Sequence, residues 1–217
     1  MAYVLGLITS DGHIQKNGVF RIINKERLLI EKSKEFMSAE NPIYNRTYKS
    51  KGRKLSDGYV LQIGSKKMCE DLENLGVTPR KSKTIRLPEV PKGYFPYFLQ
   101  GLIDGDGSVY LENYSVTSPI NRIAPLKYKT YHYKRLVISI YSASIGFIED
   151  IRSEVIKSGL KIQNINELKK NGYDSVYRIS VNTNQAKKLG NFIYENILVN
   201  SKKALNYKTA NSRGGCY

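Results

Sequence analysis

Two short segments of the sequence, VLGLITSDG at residues 4–12 and LQGLIDGDG at residues 99–107, each end an apolar stretch with an aspartate and a glycine. Five of the nine positions are identical in the two segments, and these include Asp11 and Asp106. The apolar residues predict that each segment is a helix ending near its aspartate. A carboxylate there lies at the negative end of the helix dipole, which is unfavourable by some tenths to about 1 kcal/mol.

Small residues in these segments predict that the two helices pack closely together. Gly6 and Ser10 are four positions apart on one helix face, as are Gly101 and Gly105 on the other. Close packing brings the two aspartates together, and at ~5 Å with an effective dielectric of ~20 their repulsion is about 3 kcal/mol. A divalent cation between the carboxylates reverses the sign of this energy, and oxygen ligands with few protein contacts suit Mg²⁺.

A purely structural interpretation of the two segments is that each Asp-Gly pair only forms the turn from a helix to a strand. Two copies in one strongly basic chain favour the metal interpretation. A calcium loop at DGDGS, residues 104–108, is disfavoured because no acid follows at the required spacing. Zinc is disfavoured as well, since Cys69 and Cys216 are far apart and no Cys/His cluster exists.

The formal net charge of +16 over 217 residues favours a polyanionic partner, although a basic surface can also be merely solvated. No stretch approaches the ~18 apolar residues of a membrane span, and no secretory signal opens the chain. We therefore expect no membrane partner and an intracellular location.

Hydrophobic periodicity and turn signals predict one order of elements used twice: helix, hairpin, helix, hairpin, helix. The first pass comprises a helix at 2–10, a hairpin turning at Asn17-Gly18, a helix at 25–38, strands at 43–48 and 59–64, and a helix at 65–75. The second comprises a helix at 94–104, a strand to 113, a polar insert at 114–130, a strand at 134–141, a helix at 144–158, strands at 161–168 and 175–181, and a helix at 184–197. A basic tail from residue 198 is expected to end loosely.

The proline-rich stretch 78–93 is predicted to be the linker between a first half at 1–77 and a second half at 94–217. The two motifs and the repeated order of elements resemble the LAGLIDADG homing endonucleases, in the monomeric branch with two motifs. This resemblance implies an α+β fold of two pseudo-symmetric αββαββα halves. Each half has a four-stranded antiparallel sheet, and together the sheets form a DNA-binding saddle.

The resemblance also implies roles for individual residues of the site. Asp11 and Asp106 correspond to the catalytic acids that bind metal. Ser10 and Gly105 correspond to the residues whose backbone carbonyls contribute to the metal site. The sixth motif position, often acidic, is Thr9 in the first motif and Asp104 in the second. A basic residue near the scissile phosphate corresponds to Lys81 in the first half and Lys203 in the second, and a polar residue that orders water corresponds to Asn24, with Ser142 as its weaker counterpart.

Strand alternation and the positions of basic residues predict contacts with nucleic acid. The candidates are Arg21, Arg46, Lys49, Lys51, Arg53, Lys129, Lys134, Arg135, Ser139, Tyr141, Arg178 and Ser180. Each of these side chains can alternatively be a solvated surface group with no partner.

The implied activity is Mg²⁺-dependent hydrolysis of both strands of a long, asymmetric DNA target, leaving short 3′ overhangs, by an intron-encoded monomer. The resemblance implies two or more divalent ions, with Mn²⁺ able to substitute and Ca²⁺ binding without cleavage. The location would be the cytoplasm or an organelle that contains the host gene. Two alternatives use the same fold: a maturase that binds its host intron RNA, and a DNA-binding protein that does not cleave.

Overall fold

The computed structural model describes residues 1–15, 17–48, 56–121, 126–169, 175–196 and 198–212. In the first half the elements are α1 (Ala2–Asp11), β1 (Gly12–Gln15), β2 (Val19–Asn24), α2 (Arg27–Phe36), β3 (Ile43–Tyr48), β4 (Ser56–Gly64) and α3 (Lys66–Asn74). In the second half they are α4 (Phe95–Asp106), β5 (Ser108–Pro119), β6 (Tyr128–Ser142), α5 (Ile145–Lys157), β7 (Asn166–Leu168), β8 (Val176–Asn182), α6 (Thr183–Tyr194) and α7 (Lys202–Ser212). Two short 3₁₀ turns, Lys81–Lys83 and Lys92–Tyr94, lie between the halves.

Local sequence signals explain several boundaries of these elements. Gly18 adopts a φ of +74° in the turn between β1 and β2, a conformation that side chains other than glycine rarely adopt. The hydroxyl of Ser65 accepts a hydrogen bond of 3.2 Å from the Met68 amide and caps the start of α3. The chain leaves α3 through Gly76, where φ is +85°.

The two halves contain antiparallel sheets with the same internal order, β1-β2-β4-β3 and β5-β6-β8-β7. In each half, helices cover one sheet face. Phe20 and Ile22 of β2 pack with Leu29 of α2 in the first core, and Ile138 of β6 packs with Ile148 of α5 in the second. The opposite sheet face, here called the open face, is not covered by these helices. The predicted α+β fold of two αββαββα halves is therefore confirmed.

Helices α1 and α4 pack against each other through the glycines that the sequence singled out. A Cβ atom added to Gly6 would lie 2.0 Å from the Phe98 carbonyl oxygen, and one added to Gly101 would lie 1.9 Å from the Tyr3 carbonyl oxygen. Neither contact is sterically possible, so only glycine allows this separation of the two backbones. The close approach places the C-terminal ends of α1 and α4 side by side.

Three parts of the second half differ from the sequence-based expectation. The stretch 114–130 is not merely a polar insert, since β5 and β6 continue as paired strands to Pro119 and Tyr128. Cross-strand hydrogen bonds and ring contacts stabilise this extension. Because it does not depend on buried apolar residues, the sequence there lacks the apolar alternation that would have predicted strands. Strand β7 is shorter than predicted. The basic tail forms α7, which buries Ala204 and Tyr207 in the second core.

The linker is attached to the second half by specific contacts. The Arg86 guanidinium makes two hydrogen bonds to the Asp150 carboxylate, at 2.7 and 2.6 Å, and the Leu87 amide donates a third at 3.1 Å. The Ser144 hydroxyl, which caps α5, donates 2.7 Å to the Ile85 carbonyl.

Within the described ranges, no helix is long and apolar enough to cross a membrane.

Candidate active site

The two motif aspartates lie at the last positions of the adjoining helices α1 and α4. Burial, followed by the neighbouring charge of Asp106, raises the pKa of Asp11 to about 6, although a hydrogen bond from Asn24 opposes the shift. Burial also raises the pKa of Asp106, against the lowering effect of Lys203 and Lys81. The two carboxylates therefore repel each other, as the sequence predicted for closely packed motif helices.

Both predicted lysines lie at this pair of helix ends. Lys81 is buried, and its Nζ donates 2.6 Å to the Gly12 carbonyl, directly after Asp11. The Nζ of Lys203 donates to the carbonyls of Ile103, Asp104 and Gly105 at 2.7, 2.7 and 2.8 Å. Each lysine thus contacts the backbone at the C-terminal end of its own half's motif helix, where carbonyls lack helical partners and attract cations.

Each lysine also lies in a recess with the aspartate of the opposite half. One recess, the Asp11 recess, is lined by Asp11 and Asn24 of the first half and by Gly105 and Lys203 of the second. The other, the Asp106 recess, is lined by Ser10, Lys81, Asp106, Tyr141 and Ser142. Each recess therefore combines the acid of one half with the lysine of the other. The sequence did not predict this crossing, because it depends on how α1 and α4 pack.

Burial lowers the pKa of both lysines, and the nearby aspartates oppose that shift. For Lys81 the stronger acidic influence is Asp106, ahead of Asp11. For Lys203 it is Asp104, followed by Asp11 and then Asp106. The crossing is not absolute, because Lys203 lowers the pKa of Asp106 more than Lys81 does.

Asn24 ends β2 and connects the sheet to the first acid. Its Nδ2 donates 2.6 Å to Asp11 Oδ2, and its Oδ1 accepts 2.7 Å from the Glu26 amide. Ser142 ends β6 at the corresponding place, and its hydroxyl accepts 3.1 Å from the Ser144 amide. Within the described part of the chain, Ser142 makes no hydrogen bond to Asp106.

Asp104 is a buried link between the halves whose neighbours the sequence did not reveal. Only 2% exposed, its carboxylate accepts hydrogen bonds from the Tyr3 hydroxyl at 3.0 Å and from the Ser201 hydroxyl at 2.6 Å. Burial raises its pKa to about 7, and these two hydrogen bonds oppose the shift. Ser201 also accepts 3.0 Å from the Ala204 amide, so Asp104 holds the start of the helix that carries Lys203.

The donor atoms at the helix ends fit a hard divalent cation. A Cβ atom on Gly105 would lie 1.9 Å from Ser10 Oγ and 3.1 Å from Asp11 Oδ2, so glycine is required for its backbone to approach the first acid. Among the described residues, no three or more His, Cys, Asp or Glu side chains are grouped so that they could hold a metal ion together. Two carboxylates and backbone carbonyls suit Mg²⁺, which retains waters and accepts phosphate oxygens.

Several predicted nucleic-acid contacts lie on the open faces of the sheets. Arg21 of β2 donates 2.6 Å to Gln62 of the neighbouring strand β4. Tyr141 and Arg178 are cross-strand partners on β6 and β8. Ser180 lies opposite Ser139 on the same face.

The other predicted contacts differ in exposure and in the sheet face on which they lie. Ser139 is only 1% exposed, so its hydroxyl does not reach the surface of the free protein. Arg46 is exposed on β3. Lys134 lies on the opposite face of β6 from Lys129 and Arg135. The predicted contacts Lys49, Lys51 and Arg53 fall outside the described residues.

Solved structures share this fold at low sequence identity. The I-LtrWI LAGLIDADG homing endonuclease bound to target DNA superimposes with a TM-score of 0.57 and 15% identity, covering 98% of this chain and 88% of that one. The LAGLIDADG meganuclease I-AabMI bound to uncleaved DNA gives 0.53 and 13%, covering 97% and 88%. I-SmaMI bound to an uncleaved DNA target in the presence of calcium ions gives 0.50 and 15%, covering 97% and 89%.

The chain therefore has the fold of the LAGLIDADG homing endonucleases, over nearly its whole length. No protein-family model and no curated protein sequence matches it. The resemblance seen in the two motifs is thus confirmed through three-dimensional structure.

Proposed function

We propose that this protein belongs to the LAGLIDADG homing endonucleases and cleaves both strands of a specific double-stranded DNA target. The observation that carries the proposal is the placement of Asp11 and Asp106 at adjoining helix ends, each in a recess with a lysine from the opposite half. Two buried like charges at the negative ends of two helices destabilise the fold, so a functional reason for them is required. The DNA-bound structures with the same fold support the choice of substrate.

In this proposal Asp11, Asp106 and the backbone carbonyls of Ser10 and Gly105 hold divalent cations. A bound Mg²⁺ would supply Lewis acidity, which lowers the pKa of a coordinated water and offsets phosphate charge. Mn²⁺ would substitute for it. Ca²⁺ would bind without supporting cleavage, in keeping with the calcium ions present with uncleaved DNA in the I-SmaMI structure.

The protein's own groups then have distinct tasks. Asn24 orients the Asp11 carboxylate through its 2.6 Å hydrogen bond. Lys81 and Lys203 bring positive charge to the recesses, where charge develops on the phosphate during in-line displacement of its 3′ or 5′ oxygen by water. Asp104 acts at one remove, by holding the helix that carries Lys203.

Two recesses related by the pseudo-symmetry of the halves fit one cut in each DNA strand. Because the residues on the two open faces differ, the target would be asymmetric and one chain would suffice to read it. Cleavage across the minor groove with short 3′ overhangs, by a monomer, is the corresponding expectation from the resemblance. Contacts from Arg21 and Arg178 would belong to the DNA-reading surface.

The test is to select binding duplexes from a random DNA library with the full chain in Ca²⁺, and then to replace Ca²⁺ by Mg²⁺. We expect one enriched sequence family and a double-strand cut within it that EDTA abolishes. The variant Asp11→Asn/Asp106→Asn should enrich the same family without cutting it. Failure to enrich any duplex, or cutting that persists in EDTA, would refute the proposal.

A further inference from the structure

The β5–β6 hairpin extends well beyond the rest of its sheet. Strand β6 pairs with β8 only over Val137–Ser142, whereas β5 and β6 pair with each other from Ser108↔Ser139 out to Pro119↔Tyr128. The segments 111–119 and 128–136 therefore form a two-stranded ribbon, here called the arm. A ribbon of this kind has the width that the DNA major groove admits.

The two faces of the arm differ in chemistry. One face carries Tyr114, Val116, Tyr131 and Tyr133, all of which are exposed, and the exposed Tyr110 continues this face at the base of the arm. The other carries hydroxyl and imidazole groups that pair across the strands, Thr117 with Thr130 at 2.9 Å and Ser115 with His132 at 2.8 Å.

The aromatic face of the arm is continuous with the open face that leads to the acids. Side chains alternate along β6, so Tyr131, Tyr133 and Arg135 share a face with Tyr141. Tyr141 lines the Asp106 recess. DNA held at that recess would therefore meet the aromatic face of the arm further along.

Each of these rings has a neighbour against at least one of its flat sides. Tyr114 and Tyr133 stack at a centroid distance of 5.3 Å. The Arg135 guanidinium lies 4.8 Å from the Tyr114 centroid, and the Lys129 ammonium lies 5.3 Å from that of Tyr131. Rings packed against these neighbours suit contact with small apolar groups better than the insertion of unpaired bases between them.

The charge of Arg135 is also engaged. Its Nε lies 2.5 Å from Glu112 Oε2 in an ion pair across the strands. Because Glu112 holds its Nε, Arg135 has only its Nη groups left for the edge of a base. The arm therefore presents a tyrosine-lined surface at one end of an otherwise basic protein.

We propose that the aromatic face of the arm recognises the 5-methyl groups of thymines in the major groove, in the outer part of the half-site next to the Asp106 recess. The thymine methyl is the one apolar group that base pairs present in that groove. This inference rests on the proposed function and assigns to this part of the DNA surface a chemistry different from that of its arginines.

The test replaces thymine by deoxyuridine, which lacks only the methyl group, in successive segments of the duplex enriched from the random library. Binding of the unaltered protein is measured in Ca²⁺. We expect affinity to fall by about fourfold for each contacted methyl, the equivalent of one such group removed from water. The loss should be confined to one outer segment of the target.

Two variants of the arm assign the effect. In Tyr114→Ser/Tyr131→Ser the deoxyuridine penalty should disappear, because the rings that contact the methyl groups are gone. In His132→Ala, on the other face of the same ribbon, the penalty should persist. Circular dichroism melting of each variant shows whether the fold is retained.

The outcomes separate this inference from the proposed function. If a duplex is enriched and cut by Mg²⁺ but deoxyuridine changes affinity nowhere, only the inference about the arm fails. If the penalty persists in the double tyrosine variant, the methyl groups are read elsewhere and the inference also fails. Tighter binding of single-stranded RNA than of the duplex through these tyrosines would overturn it in favour of base stacking. Failure to enrich any duplex would overturn both proposals.

Discussion

Asp11 and Asp106 end equivalent helices, but the residues around the two carboxylates are not equivalent. At the end of β2, Asn24 caps the following turn and also donates a 2.6 Å hydrogen bond to Asp11. At the end of β6, Ser142 caps the same kind of turn, and its shorter side chain makes no hydrogen bond to Asp106 in the described part of the chain. One carboxylate is thus oriented by the sheet, whereas the other is held by its helix alone.

For the lysines, it is the second half that has the larger number of hydrogen bonds. Lys203, which lines the Asp11 recess, makes three hydrogen bonds to carbonyls at the end of α4, whereas Lys81 makes one, to Gly12. The Asp11 recess therefore contains both the carboxylate that is held by a hydrogen bond from the sheet and the lysine that makes more hydrogen bonds. Pseudo-symmetry thus preserves the acids and lysines but not the hydrogen bonds that hold them, so we expect the two strands of a target to be cut at different rates.

We expect the largest effect from replacing the aspartate that each of the two recesses contains. Asp11→Asn and Asp106→Asn should each reduce double-strand cleavage of the enriched duplex by about a thousandfold or more, because each removes a charged oxygen ligand. Affinity for the duplex in Ca²⁺-free buffer should change little. Near-normal cutting by either variant would contradict the proposal that both aspartates are needed for cleavage.

The lysines provide the next largest effect and test the crossing. Lys203→Met should slow cutting by about a hundredfold in the strand bound at the Asp11 recess, and Lys81→Met should slow the other strand similarly. Labelling each strand separately measures the two rates. Lys208→Met, at an exposed lysine further along the same helix, is the matched control and should cut normally. If Lys203→Met and Lys81→Met slow the same strand, the crossed arrangement is wrong.

Asn24→Ala should slow the same strand as Lys203→Met, by about tenfold, since it removes a group that orients a ligand. The hydrogen bond from Asn24 lowers the pKa of Asp11, so its loss raises that pKa above about 6. The acid limb of the pH–rate profile for this strand should therefore move to higher pH. Ser142→Ala should leave both profiles unchanged, and a shift in that variant would remove the difference between the halves.

The smallest effect is on stability. Burial and Asp106 raise the folded-state pKa of Asp11 from 3.8 to about 6, so its charge destabilises the fold above pH 6 and this cost disappears as the pH falls toward 4. Asp11→Asn should increase the free energy of unfolding by about 1–2 kcal/mol at pH 8, less than the full shift because the group is partly solvated. The gain should shrink at pH 5. Urea unfolding at both pH values measures it, and a destabilised variant at pH 8 would contradict the account.

The local signals in the sequence predicted much of this arrangement. The glycines and acids of the motifs predicted the packing of α1 and α4, and the Asn17-Gly18 turn and the helix predicted from residue 65 lie close to the observed element boundaries. These features depend on nearest neighbours or on helical spacing, both of which can be read along the chain.

What the sequence did not predict depends on contacts between distant residues. The crossing of Lys81 and Lys203 follows from how the halves meet, and the burial of Asp104 follows from Tyr3 and Ser201, more than ninety positions away. Helix α7 was missed because its apolar face consists of small or polar-tipped residues, although Ala204, Tyr207 and Ala210 recur every three positions. That spacing was the available signal.

The most direct measurement is of the metal itself. Mn²⁺ titrated into the protein–duplex complex and followed by electron paramagnetic resonance should show tightly bound ions in the unaltered protein. We expect the Asp11→Asn/Asp106→Asn variant to retain the duplex but to lose these ions. Equal binding of Mn²⁺ by both proteins would contradict the claim that the two helix-end carboxylates form a metal site.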